Sequence, residues 1–356
     1  MTDPIRLLIV DDSEVFVAAF RQLLAGDAQI EVVATAVDGR EAIEKTRALR
    51  PDIVTMDMIM PGLGGLEAIE GIMSTHPTPI LIVTSDPGYL DAHRCFDALS
   101  RGALELIAKP DLAAMDDAAQ RALRERVRFL ARVPVVHHAQ RHAFAPGSDD
   151  RAGAGAREPC GVVGLVASTG GPSLLADLLA GLPTHFPLPI VVVQHLAVGF
   201  TPHFVSWLQS VSALKVRAGD DGLRLERGVV YLAPDGGHLL VTRRGRLRLD
   251  RDSPPREGHQ PSGDVLLRSI AESCGDSGVG VVLTGMGRDG ADGLGAIHRV
   301  GGVTMAQDAA SCVVDGMPRA ARELGVVQRV VTRAELSGAL IEVALRVAAA
   351  SRSASG

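Results

Sequence analysis

The chain has 356 residues, more than one ordinary domain holds, with 46% hydrophobic and 22% charged residues, the balance of a soluble globular protein with sizeable cores. No apolar run reaches the ~18 residues of a membrane-spanning helix, and the opening MTDPIRLLIVDD lacks a basic n-region, so neither membrane insertion nor a secretory leader is expected. Cys95, Cys160, Cys274 and Cys312 lie far apart without a CxxC pair, which gives no zinc or disulfide framework and points to a reduced, cytoplasmic setting.

Residues 1–130 hold 13 Lys/Arg against 21 Asp/Glu, and the rest 23 against 21. An acidic module joined to a near-neutral one, with no basic recognition helix, argues against nucleic-acid binding. Within residues 1–130, apolar runs at Arg6–Val10, Glu31–Ala36, Asp52–Met56, Ile80–Val83 and Ala103–Ala108 read as short buried strands. Segments of helical spacing lie between them, such as Phe16, Phe20, Leu23 and Leu24, and a last helix is expected near Asp111–Leu130. Five β-α units predict an α/β fold with a doubly wound, five-stranded sheet.

Residues 131–158 carry Pro, Gly, Ala, Arg and the His137-His138 pair without an apolar period, and read as a flexible, solvated linker. A second doubly wound α/β domain with a mostly parallel sheet is expected over 159–350. Its strands are expected at Cys160–Ala167, Pro189–Gln194, Val229–Leu232, Val279–Thr284, Val303–Ala306 and Val327–Val331. A small hairpin turns at Arg243-Arg244-Gly245, a final helix spans Thr332–Ala350, and residues 351–356 form a disordered tail.

In a parallel sheet, ligands gather beyond the carboxyl ends of the strands. In the first module that rim holds Asp11, Asp12, Asp57, Thr84 and Lys109. Three converging carboxylates repel one another unless a hard cation such as Mg²⁺ neutralises them. A carboxylate beside such an ion, with a hydroxyl and an ammonium at hand, is equipped to accept a phosphoryl group. Only three of the 36 basic residues are Lys, so Lys109 marks a place that wants a compact ammonium.

The motifs IVDDS (9–13), TMDMIMPGLGG (55–65), VTS (83–85) and AKP (108–110) resemble the receiver domains of two-component response regulators. The resemblance implies that Asp57 accepts the phosphoryl group, that Asp11 and Asp12 help it to hold Mg²⁺, and that Thr84 and Lys109 sense the product. Leu106 stands where many receivers carry an aromatic switch residue, and Ile59 where polar residues often tune dephosphorylation.

The same rim rule applied to the second module selects Ser168, before the turn Gly170-Gly171-Pro172, then His195 after its strand, and Asp289 in GMGRDG. A nucleophile, an imidazole and a carboxylate are what a serine hydrolase needs. Ser168 or Thr169 could equally cap a helix, His195 competes with His185, His203, His238, His259 and His298, and Asp289 competes with Asp292 and Asp308. Val166 occupies the first glycine of a GxSxG elbow, and the order Ser…His…Asp differs from the best-known serine hydrolases, so an ordinary α/β-hydrolase is disfavoured.

VASTGGP (166–172), QHLAVGFTPHF (194–204), YLAPDGGH (231–238), GHQPSGDVL (258–266), LTGMGRDGADG (283–293) and AQDAASCVVDGMPRAA (306–321) resemble the catalytic domain of the chemotaxis protein-glutamate methylesterase family. The resemblance implies Ser168 as nucleophile, His195 as base, Asp289 as orienting acid and Met286 as an oxyanion donor. No cofactor is implied for the esterase. It further implies hydrolysis of glutamate methyl esters on chemoreceptors, with methanol released, and deamidation of receptor glutamines by the same residues. A histidine kinase would supply the phosphoryl group, the unphosphorylated receiver would restrain the esterase, and the protein would gather at receptor clusters. Gln260 stands where relatives often carry Arg, which bears on the receptor contact. Two other readings stay open: a catalytically silent receptor-binding regulator, and a methylesterase serving a pathway outside swimming.

Overall fold

Short, mostly apolar strands separated by amphipathic helices dictate layered α/β units, and the computed structural model, which describes residues 3–85, 89–135 and 161–353, has two of them. They are Met1–Gln140 and Arg141–Gly356. The expected linker beyond residue 135, with the His137-His138 pair and Cys160, lies outside the described residues, as do residues 354–356. Among the described residues no helix is long and apolar enough to cross a membrane.

The first unit runs β1 (Ile5–Val10), α1 (Glu14–Ala25), β2 (Ile30–Ala36), α2 (Gly39–Leu49), β3 (Ile53–Met56), α3 (Gly65–Thr75), β4 (Ile80–Thr84), α4 (Tyr89–Ser100), β5 (Glu105–Ala108) and α5 (Asp117–Leu130). Its five strands are all parallel in the order β2-β1-β3-β4-β5. The order reverses between β1 and β3, and a crevice opens where such a sheet changes direction. Asp11 and Asp57 follow those two strands directly. Helix α5 begins at Asp117, later than expected, because the Asp116 side chain accepts from the Ala119 amide at 2.7 Å and caps it there.

The second unit continues with β6 (Val162–Ala167), α6 (Gly171–Ala180), β7 (Ile190–Gln194), α7 (Thr201–Val211), β8 (Lys215–Ala218), β9 (Val229–Leu232), β10 (His238–Val241) and β11 (Leu247–Asp250). Then come α8 (Gly263–Cys274), β12 (Gly278–Val282), α9 (Ala291–Arg299), β13 (Val303–Gln307), α10 (Met317–Glu323), β14 (Arg329–Val331) and α11 (Leu336–Ser353). Seven parallel strands form one sheet in the order β14-β13-β12-β6-β7-β9-β8. The expected hairpin is β10-β11, tied to α8 where Ser269 Oγ accepts from the Val241 amide (2.9 Å) and Ser273 Oγ donates to its carbonyl (2.8 Å).

Three differences from the sequence reading have local causes. Strand β8 was not expected, because Lys215 and Arg217 interrupt its apolar pattern at the edge of the sheet. Helix α11 starts late, since Thr332 and Glu335 close a turn of their own, with Thr332 Oγ1 donating to Glu335 Oε2 at 2.8 Å. It also runs to Ser353, through the first three residues of the expected tail.

The placement of α8 matters for the site. A Cβ on Gly263 would lie 2.2 Å from Val166 Cγ1, so only glycine lets the first residue of α8 rest against the end of β6. That contact brings the amino end of α8 to the sheet rim beside Ser168.

Candidate active site

Strands β6, β7 and β12 are neighbours in the middle of the second sheet, and Ser168, His195 and Asp289 follow them. Ser168 begins the turn into α6, its amide donating to Thr284 O at 3.0 Å and its carbonyl accepting from Gly171 N at 2.7 Å. The Thr284 loop lies tight against it: a Cβ on Gly285 would sit 2.7 Å from Ser168 Cβ. Gln194 ties the nucleophile turn to the base, its Nε2 donating to the carbonyls of Ser168 (3.0 Å) and His195 (2.9 Å).

His195 Nε2 bonds Asp289 Oδ2 at 2.9 Å, while its Nδ1 is buried without a partner. With Nε2 donating to the carboxylate, the tautomer leaves a lone pair on Nδ1. His259 lies flat against the same imidazole, ring centroids 4.0 Å apart and planes 2° from parallel.

Asp289 is 1% exposed, and both oxygens are fully engaged. Oδ1 accepts from Ser262 Oγ (2.8 Å) and the Asp264 amide (3.0 Å), and Oδ2 accepts from the Gly263 amide (2.6 Å) besides His195. These donors form the amino end of α8, where the backbone favours a negative charge. Burial pushes the carboxyl up, but the hydrogen bond and charge of His195, with the two amides, outweigh it and hold the acid down to about 2.

Three of the competing residues, His238, Asp292 and Asp308, are engaged elsewhere. His238 is buried with Nε2 on Pro254 O (3.1 Å) and Nδ1 accepting from the Ser262 amide (3.2 Å). Asp292 is a surface ion-pair partner of Arg288, Arg256 and Arg268, and Asp308 caps the turn at 309–311. Met286 is 44% exposed on the loop after Gly285, and its amide has no backbone acceptor among the described residues. Sequence reasoning missed Gln194, Ser262 and Asp264. Ser262 and Asp264 sit in the quoted GHQPSGDVL motif, where Ser262 directly precedes α8 and Asp264 lies in its first turn.

In the first unit the expected rim residues also meet. Lys109 Nζ lies 2.6 Å from Asp57 Oδ2 and 2.7 Å from Asp11 Oδ2. Carboxylate oxygens of Asp11, Asp12 and Asp57 all fall within 4.8 Å of one another. Burial raises the Asp11 carboxyl above the ordinary range, against the bonds from Lys109 and the Ser13 amide. Burial lowers Lys109, but its bonds to Asp11 and Asp57 prevail and raise it above its ordinary value. Thr84 is fully buried at the end of β4, its hydroxyl without a partner. Leu106 is buried and Ile59 half exposed.

Two family models match the chain: CheB methylesterase over residues 163–340, and the response regulator receiver domain over residues 7–120. A protein-glutamate methylesterase/protein-glutamine glutaminase of Myxococcus xanthus is 45% identical over 341 residues, spanning 95% of this chain and 94% of that protein. One from Anaeromyxobacter dehalogenans is 45% identical across 96% of this chain and 97% of that protein. The crystal structure of the Thermotoga maritima CheB methylesterase catalytic domain superposes with a TM-score of 0.50 and 37% identity, covering 51% of this chain and 97% of that domain.

Proposed function

The chain belongs to the CheB methylesterase family with an amino-terminal response regulator receiver domain, and from that premise we propose that it is a phosphorylation-regulated protein-glutamate methylesterase acting on chemoreceptors. The observation that carries the reading is the His195–Asp289 pair at 2.9 Å with a free Nδ1, on the same rim as Ser168.

Ser168 Oγ attacks the ester carbonyl while His195 Nδ1 takes its proton. Using Nδ1 reverses the more familiar arrangement, because Nε2 already faces the acid. Asp289 holds that tautomer and stabilises the imidazolium. Collapse of the tetrahedral intermediate expels methoxide, which takes the proton from His195 and leaves as methanol. Water then repeats the sequence on the acyl-enzyme and releases glutamate. A glutamine side chain would follow the same path with ammonia departing. The Ser168 amide is already bound to Thr284 O, so the oxyanion needs other donors. The unengaged Met286 amide is one, and such a donor contributes about 3–4 kcal/mol.

In the receiver, Asp57 is the phosphoryl acceptor. The clustered oxygens of Asp11, Asp12 and Asp57 are a hard donor set that fits Mg²⁺. When bound, the ion would offset charge on the phosphoryl oxygens. Lys109 pairs with the product, and the orphan hydroxyl of Thr84 gains an acceptor. A histidine kinase supplies the phosphoryl group, and recruitment to receptor clusters brings enzyme and substrate together. The unphosphorylated receiver restrains the esterase and phosphorylation relieves it, a shift between two states.

Methanol release from methylated receptor tests the reading, with and without acetyl phosphate and Mg²⁺. The full chain should be accelerated by acetyl phosphate. A fragment starting near residue 159 should be fast without it and indifferent to it. A fragment no faster than the unphosphorylated chain would remove the restraint, and no methanol at all would remove the esterase.

A further inference from the structure

Asp264 lies outside the Ser168–His195–Asp289 set, yet it is 2% exposed and exchanged with Asp289 between two helix starts. Asp289, just before α9, accepts the amides of Gly263 and Asp264 at the start of α8. Asp264, in the first turn of α8, accepts the amides of Gly290 (3.1 Å) and Gly293 (2.7 Å) at the start of α9. Each carboxylate therefore lies at the positive end of the other's helix. The fit is close: a Cβ on Gly293 would stand 2.9 Å from Asp264 Cα.

We propose that Asp264 is a positioning residue of the esterase site, fixing the loop that carries Asp289 and placing a second negative charge behind that acid. The proposal rests on His195 as base and Asp289 as its acid. The charged groups around it are few. Arg256 Nε lies 3.2 Å from Asp264 Oδ2, and Arg256 also reaches Asp292 at 3.7 Å. Arg268 and Arg288 approach Asp292, and His259 lies against His195. Burial pushes the Asp264 carboxyl up, the Gly293 amide pulls it down, and the charge of Asp289 pushes it up again, so the two carboxylates influence each other.

A negative charge behind Asp289 favours the positive charge that develops at the site during catalysis, so its removal should be read in the pH profile of the reaction. Asp264→Asn keeps an oxygen for both amides and removes the charge. Arg256→Gln does the opposite, leaving the charge uncompensated from a half-exposed position. A helix cap without an electrostatic role would move neither pH profile.

The experiment is the pH dependence of kcat/KM for methanol release by the phosphorylated full chain. In Asp264→Asn the acid limb should move down by roughly half to one pH unit, and the plateau should fall by no more than about a few-fold, since both amides keep an acceptor. In Arg256→Gln the limb should move up by a smaller amount. Should Asp264→Asn fail to fold, the upward shift in Arg256→Gln carries the test alone. Limbs superimposable on wild type would overturn the proposal and leave the esterase standing. A wild-type chain that releases no methanol would overturn both.

Discussion

Each unit buries an aspartate at the carboxyl rim of a parallel sheet, and the two are prepared for different chemistry. Among the described residues, Asp57 has Lys109 on one oxygen and only a long contact from the Ile59 amide, 3.3 Å, on the other. Its lone pairs stay open, which suits the bond to phosphorus proposed for it. Asp289 has four donors on two oxygens and a carboxyl held at about 2. It is saturated and can only orient a partner. On the roles proposed, coordination, more than burial, separates a nucleophilic carboxylate from an orienting one, since both are almost fully buried.

The largest effect should come from the esterase rim. Ser168→Ala should lower methanol release by on the order of 10⁶-fold, because the proposed nucleophile is gone. A residual rate within a hundredfold of wild type would show that another group attacks the ester.

Asp289→Ala should cost less, about 10⁴-fold, leaving a measurable remnant because the acid exchanges no proton with substrate. Asp292→Asn should stay within a few-fold of wild type, as exposed ion pairs contribute little. If these two variants traded places, the comparison between saturated and open carboxylates would fail in the unit where it is drawn most sharply.

On the receiver rim, Asp57→Asn should abolish labelling by acetyl phosphate. Thr84→Val, which removes a buried hydroxyl that has no partner, should leave labelling intact and uncouple it from the esterase. The activation lost should be roughly 5- to 150-fold, the range of ordinary coupling energies. Full activation in Thr84→Val would mean that the signal leaves Asp57 by another route.

Most of this was legible in the sequence because parallel strands advertise themselves as apolar runs and place chemistry at their carboxyl ends. Asp57, Lys109, Ser168, His195 and Asp289 all follow such runs. What stayed hidden acts through geometry that composition does not encode. The orientation of the His195 ring, which selects Nδ1, depends on where Asp289 meets it. The roles of Ser262 and Asp264 come from a hydroxyl bond to Asp289 and from amides and carboxylates exchanged between the starts of α8 and α9, which only the folded chain brings together. Strand β8 hid because Lys215 and Arg217 face away from the apolar positions at an edge. Leu106 and Ile59 could be identified as departures from a pattern, but their consequences for switching are not written in local sequence.

The smallest expected effect concerns stability in acid, and it tests the saturated carboxylate directly. Asp289 is held at about 2 against an ordinary value of 3.8, so its folded form binds protons less readily than its unfolded form. A depressed folded value contributes stability that is complete above the unfolded value and lost as the pH falls through the folded one. The second unit should therefore lose roughly 2 kcal/mol from this group between about pH 4 and pH 2. Asp264, raised by burial, works in the other sense and makes the net loss smaller. Trp207 is the single tryptophan of the chain and is buried in α7, so its fluorescence reports urea unfolding of this unit alone. Asp289→Asn should be less stable than wild type at pH 4, yet lose less on acidification, because it carries no proton-linked carboxylate at that site. Equal losses in the two proteins would mean that the four hydrogen bonds around Asp289 do not hold its charge in the folded state, and the contrast with Asp57 would then rest on geometry alone.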